Sequence, residues 1–410
     1  MRNALPILTA TAGLLATTLV VAAPATAADV NRPPLRTISG PSTLVYNPEG
    51  IARDTAGRLF VGTIGRTAVF PPHVSGDVAP VRTIAGWGAG VAFDADGYLY
   101  VAGSNEVRVY APGGGNNPTP VRTISGPDTL LDRPVAVAVG PSGWIYVVNS
   151  LDDSVTVYRA GADGNARPAR RIAGGRTRMD YPSGILLARE RLYVSNTGND
   201  SINQYGKSDD GNVAPTRRLR GSRTTIDAPK GLATDDQHRL YVANYSHDTV
   251  AVFDPRSSGN ARPLARLRGP ATQLDGPHGL LVDPHNRVVV GSFVGNHVAT
   301  FPPLFRRAAR PGKVGRLKVK GSPRARKWKV DWTKPSRTGH ARIDRYSVVV
   351  RKRGLTVHKE TRRTSAARLT RGELRRGGRL RLGRYKVTVQ ARNIKGWGPA
   401  TTKTFRVQRR

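Results

Sequence analysis

The chain has 410 residues, with 65 Lys and Arg against 28 Asp and Glu, and a formal net charge of +37. It contains 45 Gly, 30 Pro and no Cys. That composition favours turn-rich β structure and excludes disulfides, thiolate nucleophiles, Cys-bound zinc and iron–sulfur clusters. The length suggests roughly two or three domains, and the charge points to an anionic partner while saying nothing about fold.

Residues 1–27 read as a secretory signal peptide. Arg2 supplies a short positive start, Leu5 to Ala23 carry no charge, and Ala25-Thr26-Ala27 is a small-residue cleavage pattern. No later stretch approaches the ~20 apolar residues of a membrane span. A secreted, extracellular or cell-wall-associated protein without a transmembrane segment is expected.

A repeat follows. Arg36-Thr37-Ile38-Ser39-Gly40 returns as Arg82-Thr83-Ile84-Ala85-Gly86 and Arg122-Thr123-Ile124-Ser125-Gly126, then in weaker form around Ile172, Leu219 and Leu267. These six anchors recur every 40 to 48 residues. Each copy runs in the same order. Pro-x-Gly with an apolar pair comes first, as in Pro48-Glu49-Gly50-Ile51-Ala52 and Pro277-His278-Gly279-Leu280-Leu281. A polar turn, an aromatic or β-branched run such as Leu99-Tyr100-Val101, and an alternating run such as Val155-Thr156-Val157-Tyr158 complete it. Four short strands in that length match one blade of a β-propeller, and a lone four-stranded sheet cannot cover both of its apolar faces.

The recurring Pro-x-Gly, the Tyr-Val strand and the Val-x-Val-Phe strand resemble NHL-repeat propellers across residues 34–301. The second copy departs from the pattern with Gly88-Ala89-Gly90, and the fourth with Ala188-Arg189-Glu190. The resemblance implies an all-β fold with a six-bladed β-propeller over residues 28–305. The last copy ends at His297–Phe301 without a following Arg-x-Ile, so residues 34–38 are expected to supply the outer strand of the last blade.

Residues 306–313 read as a basic linker. Residues 314–410 carry seven expected strands, and Trp332, Tyr346, Tyr385 and the stretch Ala391–Pro399 resemble a fibronectin type III β-sandwich, with Tyr385 in the tyrosine-corner position. Residues 311–410 hold 32 Lys and Arg against 4 Asp and Glu, a net +28, whereas the rest of the chain carries only +9.

The middle residue of each Pro-x-Gly should face the mouth of the central channel: Glu49, Ala89, Val135, Ser183, Lys230 and His278. Of these, Glu49, Ser183, Lys230 and His278 are the candidate ligand-binding residues. Amidating-lyase propellers hold zinc with several channel histidines, and His278 alone cannot supply that set. Gluconolactonase-like propellers bind a divalent cation, which makes Glu49, Asn149, Asn196 and Asn244 the metal candidates, with calcium as the alternative to no cofactor. The preferred reading of the three Asn is as turn formers at strand ends, and Asp153, Asp200 and Asp248 read the same way. Arg36, Arg82, Arg122, Arg170 and Arg217 read as charge protecting the outer strand edges. In the basic domain, Arg351, Lys352, Arg353, Arg375 and Arg376 are the expected contacts to an anionic surface. No catalytic residue is assigned.

The expected function is that of a monomeric, non-catalytic binding or adhesion protein. Its partners would be an anionic polysaccharide, a teichoic-type polymer or a cell surface, or a protein, with nucleic acid bound only non-specifically. The alternative is an extracellular hydrolase, either a metal-dependent lactonase or a polysaccharide-degrading glycosidase.

Overall fold

The computed structural model describes residues 27–322, 327–370 and 383–407. Residues 1–26 of the expected signal peptide, and Arg375 and Arg376, lie outside the described residues. The fold is all-β and propeller-like. Each repeat forms an antiparallel four-stranded sheet. Sheet one comprises Ile51–Arg53, Leu59–Thr63, Arg66–Phe70 and Arg82–Ala85. Sheet two comprises Gly90–Phe93, Leu99–Gly103, Glu106–Tyr110 and Arg122–Ile124. Sheet three comprises Pro134–Val139, Ile145–Asn149, Ser154–Tyr158 and Arg170–Ile172. Sheet four comprises Pro182–Ala188, Arg191–Asn196, Ser201–Gly206 and Arg217–Leu219. Sheet five comprises Pro229–Thr234, Leu240–Asn244, Thr249–Phe253 and Ala265–Leu267. Sheet six takes Pro277–Val282, Val288–Ser292 and His297–Phe301 from the end of the repeats. Its fourth strand is Arg36–Ile38, with Arg36 opposite Thr300 and Ile38 opposite Val298.

Period-2 geometry explains why the second strands are apolar at nearly every position. Successive side chains point to opposite faces, and both faces are covered. Tyr241 enters the core shared with Val288 and Val290 of sheet six, while Val242 enters the core shared with Ile202 of sheet four. Each core lies between two consecutive sheets. The last one unites Val289 and Val298 of sheet six with Leu59 and Val61 of sheet one, which closes the cycle.

The glycine of Pro-x-Gly has a steric cause. A Cβ on Gly50 would lie 2.8 Å from the Ala89 carbonyl oxygen, and one on Gly279 would lie 2.6 Å from that of Glu49. The innermost strands therefore approach too closely for a side chain. Gly279→Ala is expected to cost about 2 kcal/mol through overpacking between sheets six and one. A denaturant midpoint equal to that of the parent chain would show that the two strands can part freely.

Two further devices join neighbouring sheets. In five of the six sheets, all but sheet one with its Gly65, the side chain before the third strand accepts a backbone N–H from the next sheet. Asp153 takes Tyr181 N at 2.7 Å, Asp200 takes Ala228 N at 2.9 Å, Asp248 takes Gly276 N at 2.7 Å, and Asn296 takes Asn47 N at 2.8 Å. The expected local Asx turns are thus inter-sheet latches. Asn and Asp suit the position because φ lies near +50° at all four.

The second device covers the outer strands. A loop of the following repeat lies alongside each edge, as where Gly164 bridges Ile124 and Gly211 bridges Ile172. Asn165 accepts Asp128 N, and Asn212 accepts Arg176 N. Sheet five receives its cover from the start of the chain: Ala28–Val30 pairs in parallel with Ala265–Leu267, and Asn31 accepts Ala271 N at 3.0 Å.

The outer edges thus have backbone cover, and three of the five outer-strand arginines make a further contact. Arg82 stands over Phe60 at 5.7 Å, Arg122 over Tyr100 at 5.9 Å and Arg170 over Trp144 at 4.6 Å. Each guanidinium packs on an aromatic ring of its own sheet.

After residue 305 the chain forms two more sheets. Gly315–Ser322, Lys327–Thr333 and Ala366–Thr370 make one. Leu355–Arg362, Arg345–Lys352, Gly383–Asn393, Gly396–Trp397 and Thr401–Val407 make the other. They share a core containing Val330, Trp332, Tyr346, Val348, Tyr385 and Val387. Tyr385 is stacked on Phe405 at 5.5 Å. The segment between the two parts of the chain is tied down rather than free. Ala308 N donates to Asp236, Gln237 donates to the Arg306 carbonyl, and Asn393 donates to the Ala309 carbonyl.

Candidate functional site

A cavity of about 300 Å³ opens where the first strands of the six sheets converge. It is lined by Glu49, Val135, Ser183, Lys230 and His278 from five of the six Pro-x-Gly positions. The sixth, Ala89, lines instead a smaller space of about 120 Å³, bordered by Gly50, Gly90, Gly184, Gly231 and Gly279 and shared with Glu49, Val135, Ser183 and His278. In its place the second repeat presents Trp87. Arg133, Tyr181, Tyr245 and Phe293 complete the wall.

The four candidate ligand-binding residues thus come together, and the aromatic wall is what sequence reasoning missed. Its members sit just before Pro-x-Gly or just after the second strand, where the repeat shows no common residue type. The only signal was position: Tyr181 precedes Pro182-Ser183-Gly184, and Arg133 precedes Pro134-Val135-Ala136, its equivalent in the third repeat.

The Trp87 Nε1–H donates to Glu49 Oε1 at 3.2 Å, and His278 Nδ1 lies 3.2 Å from the Glu49 carbonyl oxygen. His278 stacks on Phe293 at 5.6 Å, and Tyr245 meets Phe293 edge to face at 6.0 Å. An Arg133 Nη1–H donates to the Tyr181 hydroxyl at 2.6 Å. Ser183 is committed to structure, because its hydroxyl reaches the Pro229 carbonyl at 2.8 Å and Thr197 at 2.7 Å.

Lys230 has no carboxylate within ion-pairing distance among the described residues, and its Nζ stands 5.7 Å from the Tyr245 ring centre. Burial pushes the Glu49 carboxyl above the usual carboxylate range, opposed by the Trp87 hydrogen bond and the charges of Lys230 and Arg133. Burial also pulls Lys230 below the usual ammonium value, with Glu49 opposing and Arg133 assisting. His278 is driven down to about 3 by burial, helped by Lys230, so its ring is neutral at ordinary pH.

The metal candidates are not brought together. Asn149 donates to Ser154 and Thr156, Asn196 to Ser201, and Asn244 to Thr249. All three are buried within their own sheets and none lines the cavity. Glu49 is the one carboxylate of the wall and stands among cations, which does not suit a divalent ion. Among the described residues, no three His, Cys, Asp or Glu side chains gather to hold a metal.

In the second part of the chain, Arg351 and Arg353 are exposed, while Lys352 is half-buried with its ammonium 5.3 Å from the Tyr385 ring centre. Arg353 and Gly354 form a tight hairpin with φ of +48° and +82°, between Lys352 and its partner Leu355. No described helix is long and apolar enough to cross a membrane.

No family model matches the chain, and no curated protein matches it. Among solved structures, the chain is similar to domains d3-d4 of the rat CD45 extracellular region. The identity is 21%, with 27% of this chain and 55% of that one covered, and the TM-score is 0.22. The chain thus spans about half of that structure. A chain of the mitotic checkpoint complex is similar at 13% identity, with 74% of this chain and 98% of that one covered and a TM-score of 0.46. At these scores neither likeness bears on what this chain does.

Proposed function

We propose that the chain is a secreted binding protein, made of a six-bladed NHL-type propeller over residues 28–305 and a fibronectin type III-like domain over residues 314–410. The mouth cavity holds a small ligand or a chain end, and the basic domain fastens the protein to an anionic polymer. One observation carries this reading: Lys230 and Glu49 are half-buried in one cavity without pairing with each other. A buried ion without its counter-ion is costly, and a ligand that meets both would remove that cost. The cavity is also of the size and aromatic character common to small-molecule sites.

Among the described residues, no nucleophile hydrogen-bonded to a base lines the cavity, which favours binding over hydrolysis. The experiment is a ligand screen on the mature chain, with Glu49→Gln and Lys230→Met as the paired variants. Hits should be lost in both. Turnover of a hit that survives chelation and disappears in Glu49→Gln would favour the hydrolase.

The basic domain gives its own expectation. Attraction between net charge of +28 over residues 311–410 and a polyanion is screened over ~8 Å at physiological salt. Retention on an anionic polymer should therefore fall steeply between about 0.05 and about 0.3 M salt. Arg351→Glu with Arg353→Glu should weaken it at low salt and leave the melting temperature in place. Salt-insensitive retention would show that the charge is not what holds the polymer.

A further inference from the structure

Resting on the reading of the mouth cavity as a ligand site, we propose that its ligand is an acidic sugar carrying a single negative charge, a uronic acid at the end of a glycan. Three features of the wall select this chemistry together. The first is aromatic surface. Trp87, Tyr181, Tyr245 and Phe293 line one small space, and flat aromatic faces with polar edges suit a pyranose ring, which has C–H faces and a rim of hydroxyls.

The second is the hydrogen-bonding capacity left open. One Glu49 oxygen takes the Trp87 N–H, and the other has no partner among the described residues, so it can accept from sugar hydroxyls. Lys230 Nζ has no hydrogen-bond partner there either, and Arg133 uses one N–H on Tyr181, which leaves donors for a carboxylate.

The third is net charge. Lys230 and Arg133 against Glu49 leave one positive charge, with His278 neutral. A neutral sugar leaves that charge uncompensated, and so does a zwitterion. A doubly charged phosphate ester would overshoot and repel Glu49. A uronate brings the site to neutrality, with its carboxylate towards Lys230 and Arg133 and its hydroxyls towards Glu49.

The test uses the mature chain and the Trp87 fluorescence signal, identified by its loss in Trp87→Phe. Glucuronate, galacturonate, a uronate-ended oligosaccharide, glucose, glucose 6-phosphate and glycine are titrated at about 0.15 M salt, where weak surface attraction is screened. At least one uronate should bind about tenfold or more tighter than glucose, the size expected of a charge-assisted hydrogen bond in a partly buried site. Lys230→Met should bring that ratio close to one, with an unchanged circular dichroism spectrum, and Glu49→Gln should weaken uronate and glucose alike.

Glucose, the phosphate ester or glycine binding as tightly as every uronate, still dependent on Glu49, would overturn the acidic-sugar assignment and leave the cavity as a ligand site. A chain that binds uronate equally well after Lys230→Met would overturn the assignment too. Absence of any Trp87 response, with wider screening hits indifferent to Glu49→Gln and Lys230→Met, would overturn both readings.

Discussion

A chain lacking residues 29–40 is expected to unfold at a temperature lower by about 10 °C or more, and to aggregate. The truncation removes the fourth strand of sheet six, with Ile38 and its backbone bonds to Val298. It also removes most of the strand covering sheet five, including the Asp29 carboxylate that takes Arg266 Nε at 2.7 Å and Nη2 at 3.0 Å. Losing one buried Ile costs about 2 kcal/mol, and the exposed ladders and lost ion pair bring the total to about 4 kcal/mol or more. At about 2–4 °C per kcal/mol for a domain of this size, that gives the shift. Two bare edges supply the route to aggregation. Differential scanning calorimetry of the two chains decides it, and equal melting temperatures with a monomeric truncated chain would mean that the ring does not depend on its first residues.

The repeat made the strands legible because each strand is short, apolar and bounded by Gly, Pro or Asp turns. Residues 34–38 belong with the last sheet because the sixth copy lacks its own Arg-x-Ile, an argument from counting alone. The role of residues 28–31 was not legible in the same way. Asn31 stands where the later copies have Asn165, Asn212 and Asn260, but nothing in a single sequence says that this Asn caps the turn of another sheet. The ring contacts within the arginine band were not legible for a related reason. Charge on an edge strand has a known protective use, whereas packing of Arg170 on Trp144 reaches across the third strand to a residue that precedes the second.

His278 sets the second large expectation, which concerns acid. An unfolded histidine takes up a proton below about 6.5, whereas His278 in the fold stays neutral down to about 3. The stability contributed by the neutral ring is complete above about pH 6.5 and is lost as pH falls through that window. Each pH unit costs about 1.4 kcal/mol. His278→Gln removes this dependence while keeping a polar group beside the Glu49 carbonyl. Between about pH 7 and about pH 4.5 the parent chain should lose about 2.5 kcal/mol more than the variant, measured by denaturant unfolding. Parallel pH profiles would mean that the ring titrates normally and is not enclosed by Glu49, Lys230 and Phe293.

The site was half legible. Pro-x-Gly places its middle residue at the axis because the glycine must meet the neighbouring strand, so Glu49, Ser183, Lys230 and His278 could be named from the repeat. Their environment could not. Whether Lys230 is paired depends on its distance from Glu49 across the ring, and the two are 181 positions apart in sequence. The Asn residues after the second strands show the converse. Their regular recurrence resembled a ligand set, yet a radial repeat places equivalent residues in separate sheets, where Asn149, Asn196 and Asn244 each serve their own turn.

The most direct test of the proposed function is a thermal-shift screen of the mature chain and its Glu49→Gln/Lys230→Met double variant against acidic and neutral glycans. A ligand present at about 100 times its Kd stabilises the folded state by about 2.7 kcal/mol, a shift of several degrees. The expected result is one or more acidic glycans that raise the melting temperature of the parent chain and leave that of the double variant unmoved. Equal shifts in the two proteins, or none with any glycan or metabolite that the chain retains on a column, would contradict a ligand site at the mouth of the channel.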